Sequence, residues 1–142
     1  MQLASGYEAE LVLGLIGSLI AGYLIGAERE SRRKPAGIST HSLVIGGSMF
    51  FTFLSPLLGP DSPDRIAAGI VSGIGFLGAG IILRGQSGHI TNLTTAAGIW
   101  FSASIGMALG MGWYLAAAIM TIFSIAVPRI PHLQSHVGIQ SD

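Results

Sequence analysis

The polar chemistry of this chain is confined to a few points, and the first is Glu28-Arg29-Glu30. Two carboxylates flanking a guanidinium at the end of an apolar run admit three uses. They can mark a membrane boundary with their charged heads in water, or pair with a basic residue arriving on another segment, such as Arg84. They can also offer oxygen ligands to a hard cation such as Mg²⁺, which makes Glu28 and Glu30 the candidate metal ligands. Thr40-His41 and Thr91-Asn92-Leu93-Thr94-Thr95 are the other clusters. Both open apolar segments, where hydroxyls and amides either cap a helix or line a small polar vestibule. Glu28, Arg29, Thr40, His41, Arg84, Asn92, Thr94 and Thr95 form the expected polar cluster at one membrane face.

Other chemistry is poorly represented. The chain has no cysteine, so thiolate catalysis, thiolate metal sites and disulfides are excluded. His89, His132 and His136 lack metal-ligand spacing, and no zinc site is expected. No Ser-His-Asp, phosphate-loop or HExxH pattern occurs, and the chain is not expected to be an enzyme. No cofactor is expected, Mg²⁺ being the one ion the acids leave open.

The elements that must position these groups are membrane helices. Of 142 residues, 50% are hydrophobic and only 10% charged, against about 25% charged in a soluble domain. Net charge is zero, which argues against general attraction to nucleic acid. Five apolar segments follow one another: Leu11–Ala27, Ser42–Leu58, Ile66–Leu83, Leu93–Leu109 and Met111–Val127. Each is near the lower limit of the roughly 17–25 residues that span a bilayer. Met1–Glu10 lacks a basic stretch and carries Glu8 and Glu10, so the first segment is expected to remain as an anchor. Ser62-Pro63-Asp64 has the chemistry of a helix start. Ser39 or Thr40 is expected to cap segment two, and Thr91 or Asn92 segment four. Pro128 and Pro131 stop segment five, and Pro56 falls in the last turn of segment two. The tight connection Gly110–Trp113 is compatible with a turn or with a break in one long helix.

Charge sets the expected orientation. Arg29, Arg32, Arg33, Lys34, Arg84 and Arg129 fall on one side of the five spans; Glu8, Glu10, Asp61, Asp64 and Arg65 fall on the other. The excess of basic residues on cytoplasmic loops then predicts the N-terminus out and the C-terminus in. The fold class is an all-α, polytopic bundle of about five transmembrane helices over residues 1–131, with a short cytoplasmic tail at 132–142.

Glycine is unusually dense, at 21 residues. Gly14, Ser18, Gly22 and Gly26 recur four apart in segment one, as do Gly98, Ser102, Gly106 and Gly110 in segment four. Gly69 and Gly73 share a face of segment three. Such ridges suit close helix packing, within the chain or between subunits, and segment three is expected to pack centrally against segments one and four. A homo-oligomer in the lipid bilayer is expected.

Several blocks carry a resemblance. GAERE (Gly26–Glu30), PAGISTHSLV (Pro35–Val44), RIAAGIVSGIGFLGAGIILR (Arg65–Arg84), LTTAAGIW (Leu93–Trp100) and ASIGMALGMGWY (Ala103–Tyr114) appear in the order found in the MgtC/SapB family, which the chain resembles over nearly all of Gly14–Val127. The resemblance implies a multi-pass protein of the bacterial inner membrane, in the shorter SapB-like form without the C-terminal cytoplasmic domain of MgtC-type members. It further implies a regulator linked to growth in low magnesium and to virulence. Its mode of action would be helix–helix contact with a membrane partner, the proton-translocating ATP synthase being described for some members. The alternative is a transporter or channel for Mg²⁺ or another small ion. The spans contain no charged residue, which weighs against ion coupling within the membrane.

Overall fold

A computed structural model describes residues 7–59, 61–62, 64–82 and 91–130. They form five α-helices: α1 (Tyr7–Ser31), α2 (Ile38–Leu58), α3 (Asp64–Ile82), α4 (Leu93–Gly110) and α5 (Tyr114–Ala126). A short 3₁₀ turn, Val127–Arg129, continues α5. The first four are long and apolar enough to cross a membrane, and Tyr114–Arg129 is shorter. At 1.5 Å per residue α1 extends about 37 Å, more than a hydrocarbon core of about 30 Å. Glu8 and Glu10 in its first turn and Arg29 in its last match the helix dipole.

Two helix ends close in the same way. Trp113 N–H donates to the Ala108 carbonyl at 2.8 Å and Gly112 N–H to the Leu109 carbonyl at 3.0 Å, with Gly112 at φ +75°. This is a Schellman closure. It makes Gly110–Trp113 a turn between two helices, whose rings Phe101 and Phe123 then meet at 5.5 Å. At the end of α1, Lys34 N–H donates to Arg29 and Arg33 N–H to Glu30, with Arg33 at φ 54°.

The side-chain cap bonds expected at α2 and α4 do not form, although Asn92 takes the position expected of it at the start of α4. Helix α2 begins after Gly37, which makes no side-chain cap. Instead the Ile38 N–H donates to Glu30 Oε1 at 2.9 Å. Asn92 occupies the N-cap position of α4 in a left-handed conformation, also without a side-chain cap bond. Pro56 lies inside α2, which continues to Leu58. Pro63 and Pro131 lie outside the described residues.

Close packing centres on α2, which corrects the expected central place of the third helix. A Cβ built on Gly22 or Gly26 would fall within 3.0 Å of the α2 backbone at Ser42 and Ile38, and one on Gly14 would meet the Met49 sulfur. From the other side, Gly106 and Gly110 abut the carbonyls of Ile45 and Met49. Two glycine ridges thus clasp one helix, and Ile45, Met49 and Ile105 are fully enclosed. Helix α3 lies at the flank. Its Gly69, Gly73, Gly75 and Gly80 have no neighbour within 4 Å of a built Cβ, as is true of Gly98 on α4. Only Ile70 and Gly78 of α3 are buried, and Gly78 approaches Ala96 of α4. The physical reason is saturation: α2 already occupies both ridges, and α3 offers no ridge that reaches a backbone.

The substitution Gly106→Ala is expected to lower unfolding stability in detergent by about 1–3 kcal/mol, because the methyl meets backbone that cannot rotate away. Gly69→Ala is expected to leave the thermal midpoint unchanged or slightly raised. Thermal unfolding followed by circular dichroism distinguishes the two.

Candidate functional site

The last turn of α1, the first turns of α2 and α4 and the end of α5 converge at one end of the bundle. Arg29 is 4% exposed, and its Nη2 donates to Thr95 Oγ1 at 2.9 Å. A guanidinium has five N–H donors and tolerates burial only with acceptors nearby, and Thr95 is 2% exposed for that purpose. Its neighbour Thr94 is exposed. Position on the helix, not hydroxyl chemistry, separates the pair.

Glu28 is buried beside Arg29, its side chain 3% exposed. Its Oε1 faces Arg32 Nη1 at 3.4 Å and Arg129 Nε at 3.7 Å, while Oε2 is buried without a hydrogen-bond partner. Arg32 also donates to the Pro128 carbonyl at 2.5 Å, so α1 and α5 are tied twice at this end. Glu30 points elsewhere, to the Ile38 amide. The two candidate metal ligands therefore serve different partners, and among the described residues no group of three or more His, Cys, Asp or Glu could hold a metal ion.

His41 is 1% exposed. Its Nδ1 lies 2.8 Å from Ser102 Oγ, and that hydroxyl donates its one proton to the Gly98 carbonyl at 2.9 Å. The bond between ring and hydroxyl must then run from Nδ1–H to Oγ. Nε2 is left as an acceptor, buried and without a partner. Ser102, read in the sequence as a ridge residue, proves to be the anchor of this imidazole.

The predicted polar cluster is thus assembled in part. Glu28, Arg29, His41 and Thr95 are buried at one end of the bundle. Thr40 lies on the flank of α2, lining a groove shared with α3. Asn92 is half-buried at the start of α4, and Thr94 faces outward. Arg84, and with it the Glu28–Arg84 pairing, lies outside the described residues. The partners missed were Arg32 and Arg129; their placement on the same side of the spans as Glu28 was the available signal. At the opposite end Glu10, Asp64 and Gly112 line one cavity of about 870 Å³, so the acids and the α4–α5 turn share that end.

The model of the MgtC family matches residues 15–132. The chain belongs to the MgtC family. It is 48% identical over 111 residues to Protein MgtC of Salmonella typhimurium, covering 78% of this chain and 48% of that protein. It is 47% identical over 114 residues to the Protein MgtC of Brucella abortus and to that of Brucella suis, covering 80% of this chain and 48% of each. The chain spans about half the length of these MgtC relatives. No solved structure matches it. Family membership and the long apolar helices make it a multi-pass protein of the bacterial inner membrane.

Replacing Thr95 with Val is expected to cost about 1.5–3 kcal/mol in denaturant unfolding, because it removes a charge-assisted bond and strands a buried guanidinium. Thr94→Val should be neutral. Glu30→Gln keeps an acceptor for Ile38 and should retain most stability, whereas Glu30→Ala should lose about 1 kcal/mol.

Proposed function

We propose that this chain is a non-enzymatic regulatory protein that acts through helix–helix contact with a partner in the membrane. One observation carries the reading. The glycine ridges of α1 and α4, Gly98 excepted, are consumed inside the bundle, but Gly69 and Gly73 of α3 are not. Together with Gly47 they line an apolar groove between α2 and α3 of about 710 Å³. Beside it Phe76 stands 83% exposed. Small residues beside a large exposed ring suit close approach of another helix. The partner is a second copy, a different membrane complex, or both in turn; the family resemblance suggests the proton-translocating ATP synthase and a link to magnesium limitation. The distribution of basic residues favours the end bearing Glu28 and Arg29 on the cytoplasmic side, with the N-terminus outside.

A second reading, ion transport, draws on the partnerless Glu28 Oε2. It has fewer ligands than it needs, since Glu30 is committed to Ile38. Liposome flux of Mg²⁺ that falls with Glu28→Gln would favour it.

Affinity purification from native membranes in mild detergent tests the first reading. The wild-type chain is expected to bring down a membrane partner or a second copy. Gly69→Leu with Gly73→Leu is expected to lose it while keeping helix content and thermal midpoint, and to reproduce a deletion strain's growth in low magnesium. Unchanged co-purification by that variant would overturn the reading.

A further inference from the structure

A second groove lies on the opposite flank, between α1 and α5. Gly17, Ala21 and Leu24 face Ala118 and Ile122 across about 350 Å³. Helices α1 and α5 run in the same direction, so following both helices leads from the groove to the Glu28–Arg129 and Arg32–Pro128 contacts. Leu24 and Arg32 are eight residues apart, about 12 Å along the helix. At the groove's end one carboxylate oxygen is shared by two guanidiniums. The Arg32 and Arg129 side chains remain 42% and 62% exposed. Among the described residues this end of the bundle carries five basic side chains (Arg29, Arg32, Arg33, Lys34, Arg129) against two acids (Glu28, Glu30). Among the described residues the excess positive charge is therefore unneutralised, and it sits where an apolar channel meets the membrane surface.

We propose that the α1–α5 flank binds an anionic glycerophospholipid, its acyl chain in the Gly17–Ile122 groove and its phosphate against Arg32 and Arg129. Charge complementarity selects the headgroup, and the groove selects a lipid over a soluble anion. Arg32 is held by the Pro128 carbonyl, so one cationic wall of the site is positioned before lipid arrives. Glu28 keeps the two guanidiniums together against their mutual repulsion.

Native mass spectrometry of the full chain, titrated with phosphatidylglycerol or phosphatidylcholine of identical acyl chains, tests this. Phosphatidylglycerol should be retained more strongly, and Arg129→Gln should reduce its retention about fivefold, the scale of one basic residue at an anionic surface. Arg129→Lys should keep most of the preference, and Arg65→Gln, at the other end, all of it. Ala118→Phe should fill the groove and weaken both lipids, with helix content unchanged. Soluble glycerol phosphate should not compete. Equal retention of the two lipids, no effect of Arg129→Gln, or displacement by glycerol phosphate would overturn the proposal.

Discussion

The structure depends on how closely two helices can approach the backbone of α2. Gly22 and Gly26 on one side, and Gly106 and Gly110 on the other, leave no room for a Cβ. In lipid no hydrophobic driving force separates helix from solvent, so dispersion contacts and interhelical hydrogen bonds must hold the bundle together. Both grow as backbones approach. The same closeness brings Arg29 to Thr95 and His41 to Ser102, side chains that a wider bundle would leave apart. Polar partners buried at the end of the bundle are thus a consequence of glycine in its middle.

That arrangement divides the molecule. Helices α1, α2 and α4 form a tight core with enclosed polar contacts at one end. Helices α3 and α5 attach along its flanks and leave grooves beside them. A core whose helix faces are already in close contact has little surface left to offer a partner, whereas the flanks carry the unmatched features: spare glycines on α3, and spare positive charge where α1 and α5 end. Contact with other membrane components is better placed there than at the buried acids.

Much of the fold was legible in the sequence. The five helices, their approximate limits and the grouping of basic residues at one end follow from hydropathy and charge, which act locally along the chain. Membership of the MgtC family was legible in ordered blocks such as GAERE and LTTAAGIW. The glycine ridges announced packing faces but not their partner, since a four-residue spacing marks a face and carries no address. Hence α3, the helix richest in glycine, was placed at the centre and lies at the flank. The candidate site was legible as a set of residue types at one end. Its pairings were not, because they turn on helix rotation: Thr95 points inward and Thr94 outward, and Glu28 is buried while Glu30 turns back to cap α2.

The order of the helices can be tested directly, because the chain has no cysteine of its own. Built on Gly46, a Cβ lies 3.9 Å from that of Ser18, and one on Gly78 lies 3.6 Å from that of Ala96; both fall within the range a disulfide bridges. Paired substitutions Ser18→Cys with Gly46→Cys, and Gly78→Cys with Ala96→Cys, should each form an intramolecular disulfide on mild oxidation in native membranes. Ser18→Cys with Gly69→Cys should not. Cross-linking of that α1–α3 pair, with failure of the α1–α2 pair, would contradict a bundle organised around α2.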